Sequence, residues 1–240
     1  MSRLDFELTA RSLVKSRNVA QQLIKDGIVF VNGKNITKAA FDVEDADVIE
    51  IKGELPKYVG RGGLKLEKAV ECFKIRLNGC TCIDVGASTG GFTDCMLQNG
   101  AEKVYAVDVG SDQLDEKLRN DSRVISLENT DIRAAEGKIS EKADFISVDV
   151  SFISLKTVLP EVKKLFKESG TVVALIKPQF EVGKSGIGKR GVVKNPSLRE
   201  KAVREIKEFS ESIGFKCRGF IQSPITGGDG NIEYLICLSF

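Results

Sequence analysis

From residue 80 onward the chain alternates short apolar runs with helical stretches, and the first four runs close on a glycine turn or an acid. The runs are Cys80–Val85, Lys103–Val107, Arg123–Leu127, Ala143–Val148 and Thr171–Ile176. Helical periodicity falls between them at about Thr89–Gln98 and Leu155–Phe166, and again over Ser197–Ile213. Two further strands are expected at Lys216–Gln222 and Glu233–Phe240. Strands alternating with helices predict an α/β domain with a doubly wound, parallel sheet. Ligands of such sheets lie beyond the carboxyl ends of the strands, so the residues there matter most.

Residues 1–55 read differently. Leu4, Leu8 and Leu13 punctuate a first helical stretch, and Ser16 can cap a second from Arg17 to Lys25, which Gly27 ends. Ile28–Val31 is strand-like, Asn32-Gly33 is a hairpin turn signal, and another strand is expected over Asp47–Ile51. Up to Lys38 seven basic residues (Arg3, Arg11, Lys15, Arg17, Lys25, Lys34, Lys38) face three acids (Asp5, Glu7, Asp26). A charge run of this kind is either a solvated helix face or a patch for RNA phosphates. Pro56–Val59 reads as a linker between this α+β unit and the domain at 60–240.

Composition narrows the function. A net charge of only +2 means that any basic surface must come from local clustering. There is no histidine, and none of the six cysteines forms a Cys-x-x-Cys pair, so a zinc site of the usual kind is not expected. The cysteines are expected mostly as buried free thiols, as in a reducing cytoplasm. No apolar run is long enough to span a bilayer. Without histidine, acid–base chemistry falls to Lys, Asp, Glu, Tyr, Cys or water.

The most informative segment is Asp84-Val85-Gly86-Ala87-Ser88-Thr89-Gly90-Gly91-Phe92, which follows a strand and opens a helix. Its glycine spacing is not the Gly-x-Gly-x-x-Gly of a dinucleotide site. Asp108 ends the second strand, where a carboxylate suits the two hydroxyls of a ribose. The segment resembles the first motif of class I methyltransferases, in which the acid and glycines surround the methionine part of S-adenosyl-L-methionine. The resemblance implies that Asp108, with Val109 beside it, holds the ribose. It also implies that Asp131 and Ile132 sit near adenine and Asp149 near the reactive centre.

The acceptor is narrowed by what the strand ends lack. Asp149-Val150-Ser151-Phe152 has no prolines of the kind used for exocyclic nitrogens, and Lys177-Pro178-Gln179-Phe180 has no cysteine nucleophile for pyrimidine C5. Lys177 and Asp149 end neighbouring strands, while Lys65 and Glu233 fall at the entrance helix and the start of the last strand, so the four side chains can converge. Carboxylates nearby raise a lysine pKa whereas Lys65 and desolvation lower it, which leaves Lys177 as either base or electrostatic stabiliser.

This Lys-Asp-Lys-Glu set resembles the catalytic tetrad of FtsJ-type 2′-O-ribose methyltransferases. Together with Tyr58–Leu66, Val104–Gly110, Asp149–Leu155, Leu175–Glu181, Ser223–Ile225 and Gly230–Glu233, it resembles the TlyA family of rRNA cytidine-2′-O-methyltransferases, also called hemolysin A. The resemblance covers nearly the whole chain. It implies a Rossmann-like domain with an antiparallel last strand, S-adenosyl-L-methionine as cofactor, and ribosomal RNA within ribosomal subunits as partner. Shorter family members modify large-subunit rRNA only, so the large subunit is favoured and the small remains possible. The N-terminal residues Arg3-Leu4-Asp5, Ser16-Arg17, Ala20, Leu23-Ile24, Gly27, Val29 and Val31-Asn32-Gly33 resemble the RNA-binding domain of ribosomal protein S-four. That likeness implies phosphate contacts from Arg3, Arg11, Lys15, Arg17 and Lys34.

Further RNA contacts are expected from Arg61 and from a basic, glycine-rich loop. In that loop Lys184, Lys189, Arg190 and Lys194 interleave with Gly183, Gly186, Gly188 and Gly191 as a lid or a plain solvated connection. Within the family, the linker is expected to report RNA engagement to the cofactor site. The rivals are a membrane-active cytolysin, an RNA-binding scaffold without catalysis, and a methyltransferase of another RNA. The expectation is a cytoplasmic enzyme, monomer or weak dimer, with no metal and no membrane partner.

Overall fold

A computed structural model describes residues 1–14, 17–53, 56–183, 186–188 and 191–240, leaving out the side chain of Asn18. The chain divides into two compact units, Met1–Lys57 and Tyr58–Phe240.

In the first unit β1 (Ser2–Arg3) leads into α1 (Leu4–Ala10), followed by α2 (Arg17–Lys25), β2 (Val29–Val31), β3 (Lys34–Asn35), β4 (Asp42–Val43) and β5 (Ile49–Ile51). Leu4 and Leu8 of α1 meet Ala20, Leu23 and Ile24 of α2 and the inward side of β2 in one apolar core. Leu13, expected on the first helix, lies beyond its end and is 39% exposed, because Ser12 turns left-handed at φ 56°. Asn32 and Gly33 have φ of 49° and 75°, the paired left-handed geometry that a two-residue hairpin between β2 and β3 requires. The expected Ser16 cap lies outside the described residues.

The second unit is a three-layer sandwich. Its strands are β6 (Thr81–Val85), β7 (Lys103–Val107), β8 (Val124–Leu127), β9 (Ala143–Val148), β10 (Phe166–Ile176), β11 (Lys216–Gln222) and β12 (Tyr234–Ser239). They lie in the order β8-β7-β6-β9-β10-β12-β11, with β6 to β10 parallel and β12 antiparallel to both its neighbours. One face is covered by α3 (Gly62–Phe73) and α4 (Gly91–Gln98), the other by α6 (Leu155–Lys164) and α8 (Pro196–Ser212); α5 (Glu116–Arg119) and α7 (Pro178–Glu181) are short. All five residues of β6 are buried, as a strand covered on both faces demands. Strand order reverses around β6, since β7 and β9 flank it, and this opens a crevice at its carboxyl end.

Several boundaries differ from expectation, and three of the differences have a physical cause in the packing. The helix expected to reach Phe166 stops at Lys164, and Phe166 opens a longer β10, paired with Ala143 and packed into the core. Helix α4 starts at Gly91, because Ser88 and Gly90 are left-handed at φ 49° and 92° and the loop uses those residues. Tyr58 and Val59, read as linker, are built into the second unit. The Tyr58 ring is buried, its hydroxyl donates to Glu67 at 3.0 Å, and Val59 N donates to Asp94 Oδ2 at 2.9 Å.

Of the cysteines, Cys82, Cys95 and Cys237 are buried, Cys80 and Cys217 are half-buried and Cys72 is exposed. Burial pushes the Cys237 thiol up to about 11, which makes it inert. Among the described residues no helix is long and apolar enough to cross a membrane, and no group of three acids or cysteines is placed to hold a metal ion.

Candidate active site

The loop after β6 is fastened to β7, with Gly86 N and Ala87 N donating to Val107 O at 2.8 and 3.1 Å. Gly86 has φ 84°, and a Cβ there would lie 2.3 Å from the backbone oxygen of Asp149, so only glycine lets the loop pass the end of β9. Asp84, expected against a cofactor, lies wholly inside instead. It accepts from Thr93 Oγ1 at 2.7 Å and from Ser147 Oγ at 2.8 Å, and so braces the loop from beneath. Gly90 is buried too; its missing side chain makes room for Leu114 and Leu118.

Burial pushes the Asp84 carboxyl up to about 6, against the pull of its hydroxyl donors. The native state therefore binds this proton more tightly than the unfolded chain, whose carboxyl titrates near about 4. The group's contribution is full below that pH and is lost as pH rises towards 6, on the order of 3 kcal/mol in all. Asp84→Asn should remove this dependence. Urea unfolding of both chains from pH 4 to 7 should show the variant gaining on the natural chain as pH rises; parallel curves would contradict the buried proton.

Two cavities meet over the loop. One, about 220 Å³, is walled by Arg61, Gly62 and Lys65 of the α3 entrance, by Gly86, Ala87, Ser88, Thr89, Gly91 and Phe92, and by Ile225–Gly228. The other, about 360 Å³, is walled by Val107, Asp108, Val109 and Gln113, by Thr130, Asp131 and Ile132, and by Val150–Ile153. Gly86, Ser88 and Asp149 belong to both. Asp108 is held by backbone donors on each oxygen, Ser88 N on Oδ2 and Gly110 N on Oδ1, both at 2.7 Å. Asp131 caps a turn of 3-10 helix and pairs with Arg133 at 2.6 Å, which pulls its carboxyl down to about 2.

The four expected polar side chains do converge. Lys65 Nζ lies 2.7 Å from Glu233 Oε2 and 4.0 Å from Asp149 Oδ2, and Lys177 Nζ lies 2.8 Å from Asp149 Oδ1. Lys177 also donates to Ser151 Oγ at 2.8 Å. Its approach to Asp149 is an ion-pair contact rather than an aligned hydrogen bond, since Oδ1 is buried without a hydrogen-bond partner among the described residues. The Glu233 side chain is only 3% exposed and the Lys177 side chain 12%, so solvent screens the chain of charges weakly.

A third cavity, about 420 Å³, is lined by Lys177 with Ser151, Phe152, Gln179, Phe180, Ile187, Gly191, Gly228, Asp229 and Glu233. Its aromatic pair carries no signal in composition or spacing. Phe152 is 91% exposed at φ 65°, a strained conformation for a bulky residue, and its ring centroid lies 5.2 Å from that of Phe180. Glu181 laces the two strand-end loops together, accepting from Ser154 Oγ at 2.6 Å and Leu155 N at 2.9 Å. Gly227 was also missed; a side chain there would meet Glu233 Oε1 at 2.4 Å.

The residues expected at RNA separate. Lys34 is exposed on the hairpin, and Arg3 and Arg17 are about half exposed. Arg11 is a brace instead. Its Nε binds Glu7 at 2.8 Å, and its Nη1 and Nη2 donate to the carbonyls of Asp47 and Glu44 at 2.7 and 3.0 Å. Arg61 lines the smaller cavity rather than standing apart from it. Lys15, Lys184, Lys189 and Arg190 lie outside the described residues. Lys194 is exposed, and Asn231 pins the adjoining loop, donating to Gly191 O and accepting from Val193 N, both at 3.0 Å.

A sheet of this order, with a glycine turn after its first strand and an acid after its second, defines a class I, Rossmann-like methyltransferase. Residues 58–240 match the FtsJ-like methyltransferase family and residues 2–49 match the S4 domain. The chain belongs to the FtsJ-like methyltransferase family and carries an N-terminal S4 domain. It is 41% identical over 239 residues to the 16S/23S rRNA (cytidine-2′-O)-methyltransferase TlyA of Mycobacterium tuberculosis, covering 99% of this chain and 89% of that one. Identity is 36% to the 23S rRNA (cytidine-2′-O)-methyltransferase TlyA of Campylobacter jejuni, with 97% of each covered. A solved structure from Streptococcus thermophilus, described as a hemolysin, superposes with a TM-score of 0.80 at 45% identity, covering 99% of this chain and 87% of that one.

Proposed function

We propose that the protein transfers a methyl group from S-adenosyl-L-methionine to the 2′-hydroxyl of cytidine in ribosomal RNA, in the cytoplasm and with the large subunit as the favoured substrate. The observation that carries the reading is the convergence of Lys65, Asp149, Lys177 and Glu233 where all three cavities adjoin. The cofactor fits the two joined cavities: a small polar one suits its amino-acid end, and a larger one with Asp108 and apolar walls suits its adenosine. Gly86, Ala87, Ser88, Thr89, Gly91 and Phe92 would hold the first part, and Asp108, Val109, Asp131 and Ile132 the second. When bound, it supplies an electrophilic methyl group on a sulfonium.

The chain's own residues do the rest. Lys177 meets the acceptor oxygen from the third cavity and takes up its proton or its developing charge. Asp149 fixes Lys177 from the cofactor side, and the buried Lys65–Glu233 pair fixes the distal wall. Phe152 offers an exposed ring on which the base of the target nucleotide stacks. Phe152→Ala should raise the KM for RNA by roughly tenfold, since base stacking on an aromatic is worth about 1–3 kcal/mol. An unchanged KM in steady-state methyl transfer would remove the ring from substrate binding.

The relatives' names support the rRNA ribose acceptor and divide on the subunit, one naming both rRNAs and one naming 23S alone. The test is transfer of tritiated methyl from the cofactor to purified large and small subunits lacking the modification. Label in large-subunit rRNA supports the reading; label in neither, with the cofactor bound, overturns it.

A further inference from the structure

Among the described residues of the N-terminal unit, Asp5 is the one charged side chain that is fully buried. A carboxylate is costly to take out of water unless each oxygen is paired. Both are. Arg3 binds it through Nε at 2.9 Å to Oδ1 and Nη2 at 3.1 Å to Oδ2, a two-pronged contact. Arg17 reaches Oδ2 through Nε at 2.9 Å, and Gln21 Nε2 through a 2.7 Å hydrogen bond. These partners come from β1 and from the first turns of α2, so the carboxylate joins two separate elements.

The two arginines are bonded to a buried carboxylate yet are themselves about half exposed. Their side chains are 48% and 52% exposed, while that of Asp5 is 0% exposed. A guanidinium held by Nε has its plane fixed, and the terminal nitrogens of Arg17 are not used by Asp5. This differs from Arg11, whose three nitrogens are all consumed within the unit. Two planar donors with fixed orientation and a net charge of one match successive phosphates on a nucleic-acid backbone.

We infer that Asp5 is a positioning residue for RNA: it locks Arg3 and Arg17 into a two-guanidinium fork that grips neighbouring backbone phosphates. The inference rests on the reading of the N-terminal unit as the RNA-binding part. A fork already in place loses little conformational freedom on binding, which strengthens the complex without any new contact. The sign of the effect separates positioning from plain charge. Asp5→Asn removes a negative charge close to RNA phosphates, so through-space electrostatics alone would tighten binding. Loss of the fork weakens it.

The experiment is fluorescence anisotropy of a fluorescein-labelled RNA hairpin against the full chain over a range of salt, with circular dichroism confirming each variant's fold. Asp5→Asn should weaken binding by roughly tenfold and make the slope of log affinity against log salt shallower by about one, one phosphate contact fewer. Arg17→Lys keeps the charge on an exposed side chain but loses the planar fork, and should weaken binding by roughly fivefold. Should Asp5→Asn fail to fold, Arg17→Lys decides. The Arg3→Ala/Arg17→Ala double variant tests the underlying reading: natural affinity there would mean that this face does not bind RNA. Weakened binding in the double variant, with natural or tighter binding and an unchanged salt slope in Asp5→Asn and Arg17→Lys, would overturn the positioning role while leaving the RNA reading intact.

Discussion

Lys177→Ala is expected to lower the rate of methyl transfer by roughly 10²–10⁴-fold, the usual contribution of a group that handles the proton or charge at the reacting atom. Affinity for S-adenosyl-L-methionine should stay within a few-fold, because Lys177 lines the third cavity and neither of the two that the cofactor would fill. The same change leaves Asp149 Oδ1 without its ion partner, at a cost of roughly 1–3 kcal/mol in stability for a buried polar group. Lys177→Met controls for volume and should be as inactive. Single-turnover transfer with saturating cofactor, beside calorimetric titration of the cofactor, separates chemistry from binding. Transfer within about tenfold of the natural chain would move the role of Lys177 from the reacting atom to the scaffold.

Gly86→Ala is the second large effect, and it acts on the other side of Asp149. The backbone there is left-handed at φ 84°, and the added carbon would sit 2.3 Å from the Asp149 carbonyl oxygen, a backbone atom that cannot swing aside. Relief requires the loop to part from the end of β9, which opens the wall shared by the two cavities that the cofactor would fill. Cofactor affinity should fall by at least about 100-fold, and stability by roughly 2–4 kcal/mol, the range of a strained backbone position combined with overpacking. Gly228→Ala is the contrast. Nothing lies within 4 Å of the added carbon, and stability should hold. Equal losses of stability in the two variants would show that the conformation of Gly86 does not matter.

Much of this arrangement was legible in the residues because it follows from periodicity and backbone chemistry. Five parallel strands announce themselves as apolar runs, and the Gly86–Gly91 loop needs glycines for a reason that any structure would share. The convergence of Lys65 and Glu233, far apart in sequence, could be placed only through strand ends and family likeness. What escaped depends on where side chains turn once the chain is packed. Asp84 sits at a strand end where acids usually face a ligand, yet Thr93 and Ser147 offer hydroxyls inside and draw it inward. Arg11 looks like any basic helix residue until the carbonyls of Glu44 and Asp47 come within reach. Phe152 and Glu181 belong to runs that were recognised, but a strained exposed ring and a carboxylate joining two loops leave no mark in composition or spacing.

The most direct measurement locates the transferred methyl group. Large-subunit rRNA carried through the reaction with deuteromethyl cofactor, digested to nucleosides and fragments, and weighed by mass spectrometry should show the added mass on the ribose of a cytidine, and none of it after Lys177→Ala. The same mass on a base, or on ribose with the Lys177→Ala protein as well, would contradict a tetrad built around a sugar hydroxyl.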